Sequence, residues 1–412
     1  MVNVLTELGS PARRPHLLVL GLAFAAMFSS GPGQSFVIAV FVDELLAAAG
    51  VSRATFSLLY AAATVVSAVV VSRLGPAADR VGLRAVWALV AVGLALACGL
   101  ASLVTGAVTA LIALSLLRAF GQGSFPLVAT LLVARSFEGR RGQATAVASF
   151  GITAAMVAMP PLAVLLVVAF GWEDAYRALG AGVLLVMLPL ALLVRDRGRR
   201  PEDAVPARRG PRALRASRRL PRVTVPTRRA SRLLLVIGAP PLLITAVVFH
   251  ATALLGERGF SLAEAGAALS VLGAASAAGT VAAGAVADRM RSRTLMATMC
   301  AVFAVAFLVL LLPARPPAYV GLVLLGLGGG VYGVVGGVVW PRTYGLAEIG
   351  RLQGTSFAVQ IAGAALGPLP LAVSDALFRT FAPALAVLAA YALLTLAVSL
   401  RWREPRIVRG AR

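Results

Sequence analysis

The sequence predicts an all-α membrane protein in which twelve transmembrane helices form two six-helix bundles related by pseudo-two-fold symmetry. Three observations carry this expectation. The chain is 59% hydrophobic and 13% charged, whereas soluble globular proteins are roughly half apolar and about a quarter charged. A bilayer-spanning helix needs roughly 20 apolar residues, and twelve runs of about that length can be marked. Short patterns in the first half also return in the second at a nearly constant offset.

In chain order the runs are 17–42, 54–73, 85–104, 107–134, 143–168, 176–194, 233–255, 265–287, 295–312, 318–340, 353–374 and 382–400. All 38 basic residues are arginine. With the amino terminus inside, 32 of them fall on inner segments, five outside (Arg53, Arg177, Arg258, Arg315, Arg379) and one, Arg118, within a span. The positive-inside rule then predicts cytoplasmic termini, in a bacterial inner membrane. The runs divide the chain into an amino-terminal bundle, 1–194, a linker, 195–232, and a carboxy-terminal bundle, 233–412. The linker is rich in Arg and Pro and lacks apolar periodicity. Its fourteen arginines read as a solvated tether with some contact to anionic head groups.

A formal charge of +22 would point to nucleic acid in a soluble chain, but here it reflects arginine-rich inner loops, and no nucleic-acid partner is expected. Cys98 and Cys300 both lie in apolar runs, as packed thiols do. They offer neither a disulfide framework nor a metal site. The apolar run after Arg13 and Arg14 is too long for a signal-peptide core, so cleavage is not expected.

The strongest repeat is a charged turn. Gly75-Pro76-Ala77-Ala78-Asp79-Arg80-Val81-Gly82-Leu83-Arg84 returns 209 positions later as Gly284-Ala285-Val286-Ala287-Asp288-Arg289-Met290-Arg291-Ser292-Arg293. Glycine permits close approach of two helix ends, and the aspartate accepts from backbone donors or an arginine. In the second copy Arg291 replaces the glycine, which predicts a looser turn. The same offset relates Pro32 to Pro241, Gly50 to Gly259, Ser52 to Ser261 and Ser67 to Ser276. An offset of 210 relates Arg141-Gly142-Gln143-Ala144-Thr145 to Arg351-Leu352-Gln353-Gly354-Thr355, and Pro160 to Pro370. Duplication of a six-helix unit accounts for this, with the halves related by an axis along the membrane normal. Ser52 and Ser261 are placed to cap the second and eighth helices, and Glu264 gives the latter a capping box.

The pattern G-x-x-x-D-R-x-G-x-R, carried by Gly75, Asp79, Arg80, Gly82 and Arg84 and degraded at Gly284, Asp288 and Arg289, resembles the loop between the second and third helices of major facilitator superfamily transporters. The resemblance implies two rocking bundles around a midplane site. It also implies a gating role for Asp79 and Arg80 on the cytoplasmic side. Gly33-Gln34-Ser35-Phe36, Phe56-Ser57-Leu58-Leu59-Tyr60 and Gly350-Arg351-Leu352-Gln353-Gly354 with Gly367-Pro368 are further similar to the oxalate–formate and monocarboxylate branch. In that branch, carriers of small carboxylates place basic residues in helix eight or eleven. Here helix eight has none and helix eleven offers Gln360, which argues against a dicarboxylate.

Ser29 to Ser35 forms a polar patch within the first span around Pro32, and its counterpart in the seventh holds Pro240 and Pro241. Paired helix breaks in corresponding positions point to a transporter's central site, although they also serve simply to bend a bundle. Arg118 is the one arginine deep in a span, and a buried cation needs a partner or a function. Its run, Leu117-Arg118-Ala119-Phe120-Gly121-Gln122-Gly123, resembles the helix-four motif of many superfamily members, which implies proton coupling or binding of substrate charge. The alternative is a structural arginine held by helix-end carbonyls. His250 reads as an interhelical histidine or a proton carrier. Gln34, Tyr60, Tyr332 and Gln360 are candidates for neutral hydrogen bonding or packing. Trp340 and Trp402 read as interfacial anchors.

An intramembrane enzyme would need a nucleophile with its base, or a metal cluster. The two histidines, His16 and His250, are far apart, and the H-E-x-x-H, G-x-S-x-G and P-loop patterns are all missing. The expected function is secondary transport of a small organic solute, such as an organic anion or monocarboxylate, driven by protons or exchange. A drug or metabolite efflux antiporter and a non-transporting sensor are the alternatives. The expected partners are the solute and membrane lipids, with no cofactor or metal, and the functional unit is a monomer.

Overall fold

A bilayer offers backbone groups no solvent partner, so each apolar run has to close its own hydrogen-bond ladder. A computed structural model describes residues 14–137, 141–194, 228–287, 289–344 and 349–402. Among these, twelve helices are long and apolar enough to cross a membrane. The first half holds α1 (His16–Ala49), α2 (Arg53–Val81), α3 (Leu83–Ala101), α4 (Ala107–Ser136), α5 (Ala144–Phe170) and α6 (Trp172–Ala191). The second holds α7 (Ala230–Phe249), α8 (Leu262–Ala287), α9 (Ser292–Leu310), α10 (Arg315–Trp340), α11 (Thr355–Phe378) and α12 (Ala382–Leu400). Twelve helices in alternating direction bring the start of α1 and the end of α12 to one side, the terminal face; the other is the distal face. Most of the expected linker, 195–227, lies outside the described residues.

The duplication is visible in detail. Gly50 and Gly259 both take left-handed backbone, at φ 61° and 76°, two positions before the caps of α2 and α8. Ser52 Oγ accepts from the Thr55 amide at 3.2 Å. Ser261 Oγ accepts from the Glu264 amide at 3.2 Å, while Glu264 Oε2 accepts from the Ser261 amide at 2.8 Å, completing the capping box. At the other ends, Arg135 of α4 donates to the Ala78 carbonyl at 3.3 Å. Arg342, just beyond α10, donates to the Ala287 carbonyl at 3.1 Å. Ala78 and Ala287 are again 209 positions apart, so a duplicated helix end is closed by a duplicated arginine.

Several expectations need correction. The charged stretch from Gly75 is not a loop: α2 runs through Pro76 to Val81, and the connection to α3 is the single residue Gly82, at φ 92°. The apolar run marks the bilayer, whereas the ladder continues as long as helix formers such as Ala77 and Ala78 follow. A Cβ on Gly75 or Gly284 would meet nothing within 4 Å, so neither glycine serves a close approach. Pro240 and Pro241 do not break α7, which is helical from Arg228 to Phe249. Adjacent prolines withdraw donors from adjacent carbonyls, and the bonds on either side carry the ladder across. The interruption comes at His250 (φ −102°, ψ 16°), before a short helix, Ala251–Gly256. Trp340 and Trp402 are buried, at 1% and 5% exposure, and not at the lipid interface.

Each half packs through small residues, as membrane helices do when lipid competes equally for apolar surface. A Cβ on Gly180 of α6 would lie 2.8 Å from the Cys98 Cβ of α3, and one on Gly279 of α8 would lie 3.0 Å from the Leu327 Cα of α10. The halves meet through α5 against α8, where Ser270 Oγ donates to the Val157 carbonyl at 2.6 Å. Toward the distal face, Thr252 donates to the Ala39 carbonyl at 3.1 Å. Arg53, at the start of α2, bridges Asp43 of α1 at 2.6 Å and Asp375 of α11 at 3.2 Å. The distal side of the interface is thereby tied by charge as well as packing.

Candidate substrate site

Helix α1 changes character where the sequence turns polar. The α-helix from Arg14 ends at Ser29, Gly31–Gly33 forms a 3-10 turn around Pro32, and Gln34 is extended at φ −84°, ψ 150°. Local polar side chains close on the break: Ser30 Oγ donates to the Met27 carbonyl at 2.6 Å, and Gln34 Nε2 donates to Ser30 Oγ at 3.0 Å. Facing this break, α4 widens to a π-helix over Leu117–Ser124. Such π segments often occur at functional sites. The two irregular segments touch through glycine backbones, and a Cβ on Gly121 would stand 2.6 Å from the Gly33 Cα.

The π segment carries Arg118 into the amino-terminal bundle, where it is 2% exposed. Its Nη1 donates to Tyr60 Oη, and its Cζ lies 4.2 Å from the centre of the Tyr60 ring. Tyr60 Oη is also hydrogen-bonded to Ser35 Oγ at 2.9 Å. Arg118 Nε is buried without an acceptor among the described residues, and so is the amide oxygen of Gln122 without a donor. No described carboxylate pairs with Arg118. The buried cation is therefore held by a phenol, and its charge is left uncompensated by the described groups.

Of the residues singled out in the sequence, Arg118 and Tyr60 meet directly, and Gln34 lies beside them through Ser30 and Ser35 of the same break. Tyr332 and Gln360 form a separate group in the second half. There Tyr332 Oη donates to Gln360 Oε1, and Gln360 Nε2 donates to Ser356 Oγ at 2.9 Å. His250 is fully buried and donates from Nε2 to the Pro368 carbonyl at 3.0 Å, between the rings of Phe249 and Phe381. Phe249 in turn packs on Tyr60 with ring centres 4.3 Å apart. Ser30, Ser35, Gln122 and Phe249 were not among the sequence candidates. The serines and Gln122 stand within polar stretches that could have indicated them, whereas nothing local indicates Phe249.

The family model of the Major Facilitator Superfamily matches residues 20–368. The chain belongs to the Major Facilitator Superfamily. No curated protein sequence matches it. Among solved structures it is similar to a bacterial homologue of the human lysosomal transporter Spinster, inward-facing and occupied, at 17% identity and TM-score 0.72, covering 95% of this chain and 97% of that one. It is similar to a D-xylose–proton symporter at 16% identity and TM-score 0.73, with 94% and 98% covered. The nucleoside transporter NupG gives 12% identity and TM-score 0.71, with 95% and 100% covered. At these identities the likeness is one of fold alone, and it is the family match over residues 20–368 that makes the chain a transporter.

In this superfamily member the charged connection between α2 and α3 is satisfied within its own half. Asp79 pairs with Arg135 at 2.8 Å, with the two side chains 63% and 37% exposed, so the pair contributes no more than about 1 kcal/mol. Arg84 donates to the Ala191 carbonyl at 3.0 Å and to that of Leu192, closing the end of α6. Arg80 and Arg289 are exposed, and Asp288 lies outside the described residues.

Proposed function

We propose that this superfamily member is a secondary transporter of a small organic monoanion, such as a monocarboxylate, with Arg118 as its anion anchor. The observation that carries this reading is the buried Arg118 without a carboxylate partner among the described residues. A central arginine is unfavourable by roughly 2.5–3.5 kcal/mol on insertion scales. A charge-assisted, bidentate bond to a carboxylate is about twice as strong as a neutral one and would supply what the phenol does not. At the repeat offsets of 209 and 210, and at the 207 that relates Arg135 to Arg342, the positions matching Arg118 are Leu327, Gly328 and Leu325. The second half therefore adds no second cation, and one carboxylate is matched where two are not. Tyr332, Gln360 and Ser356 suit the uncharged part of a solute. They also support a second reading, a neutral polyhydroxyl solute, which fits the D-xylose and nucleoside cargo of the structural neighbours.

Alternating access follows from rocking of the bundles 1–194 and 233–412 about this site, driven by protons or exchange, with a monomer as the working unit. Uptake of labelled formate, acetate, lactate, succinate and xylose into proteoliposomes, with and without a proton gradient, tests the class. Monocarboxylates are expected to accumulate and succinate is not; xylose uptake alone would favour the second reading. The arginine distribution supports an orientation with both termini in the cytoplasm. A reporter fused after residue 210 should then read as internal and one inserted at Ala314 as external, and the reverse pattern would overturn the orientation.

A further inference from the structure

Tyr60 stands at once on the proposed anion anchor and on the contact between the halves. Its hydroxyl takes the Arg118 Nη1 hydrogen bond, and its ring lies under the guanidinium. The ring also packs on Phe249 of α7 at 4.3 Å, and Phe56, one turn earlier on α2, faces the same phenylalanine at 6.2 Å. Tyr60, Phe56 and Phe249 are each 0% exposed, so this aromatic cluster seals the halves between Arg118 and the distal ion bridge of Arg53 and Asp375. Phe249 is also the last residue of α7 before the interruption at His250, where a helix end can shift without breaking a continuous ladder.

We propose that Tyr60 is the coupling residue that converts anion binding at Arg118 into release of the distal seal. The inference rests on the monoanion reading above. A carboxylate approaching the guanidinium finds Nε without an acceptor and Nη1 occupied by the phenol. Two-point binding end-on across the two terminal nitrogens, Nη1 and Nη2, takes the donor that the phenol holds, and the charged acceptor wins because its bonds are the stronger. The released hydroxyl keeps its bond to Ser35 Oγ, at 2.9 Å, so the ring turns toward the α1 break and away from Phe249. A ligand shifts a conformational equilibrium only by its differential affinity for the two states. Here the difference is the phenol that must be displaced while the seal is closed and is already out of the way when the seal is open.

The test places spin labels at Leu103 and Leu312, exposed residues just past the distal ends of α3 and α9, with Cys98 and Cys300 replaced by alanine. Distances are measured with and without lactate or acetate, and binding is measured separately by calorimetry on the same protein. In the otherwise native chain the anion should shift the distribution to longer distances. Tyr60→Phe keeps the ring and removes the competing hydroxyl, so it should bind the anion about two- to tenfold more tightly, the worth of one hydrogen bond, while losing most of the shift. Phe249→Leu should show the longer distances without any anion. A Tyr60→Phe protein that shifts like the native chain, or binds more weakly, overturns the coupling role. So does a Phe249→Leu protein that stays closed. If the native chain binds no monocarboxylate at all, the monoanion reading itself fails, a result distinct from binding without a shift.

Discussion

Arg118→Gln is expected to abolish monocarboxylate uptake, by on the order of a hundredfold or more, in protein that still folds and inserts. Removing one member of a buried, hydrogen-bonded charge pair costs about 2–5 kcal/mol, and the glutamine amide carries no charge to replace it. Folding should survive because Arg118 contributes only one hydrogen bond and one ring contact to the described structure, and an uncharged side chain is easier to insert. Arg118→Lys keeps the charge and loses the planar fork, so affinity should fall about tenfold with transport retained. Uptake normalised to folded protein in the membrane is the measurement. Full transport by the glutamine variant would show that the arginine is dispensable, and loss of folded protein in both variants would make it a structural residue.

The order of effects at this site separates what the sequence could reveal from what it could not. Hydropathy located all twelve helices because the bilayer imposes length and apolarity on each run independently. The caps at Ser52 and Ser261 and the left-handed Gly50 and Gly259 were legible because local chemistry repeats at a fixed offset. Helix ends beyond the bilayer were not: α2 continues eight residues past the last apolar position expected, since nothing in the hydrogen-bond ladder requires it to stop at the lipid boundary. Arg118 stood out as a lone intramembrane cation, but its partner did not. Tyr60 lies 58 positions away, and only the packing of α2 on the π segment of α4 brings the two together. Phe249 is still less legible, being one more aromatic residue in an apolar helix. Its importance comes from facing Tyr60 across the two halves.

The contact that sets this geometry is expected to be the least tolerant of change. Gly121→Ala puts a Cβ 2.6 Å from the Gly33 Cα, 2.8 Å from the Gly33 amide nitrogen and 3.1 Å from the Ser30 carbonyl oxygen. All three atoms are backbone, so no side chain can rotate away, and α1 and α4 must separate. Overpacking of this kind costs about 1–3 kcal/mol, and the separation also loosens the π turn that aims Arg118 at Tyr60. The alanine variant should therefore melt several degrees lower and yield several-fold less folded protein, and Gly121→Val should yield almost none. Gly75→Ala is the matched control. Its Cβ would meet nothing within 4 Å, and the site lies inside a helix, where replacing glycine with alanine is worth roughly 0.5–1 kcal/mol in favour of folding. Melting temperatures of the purified variants should thus move in opposite directions. Equal tolerance at the two positions would show that the α1 break and the π segment of α4 do not touch in the folded protein, and that Arg118 is aimed by some other contact.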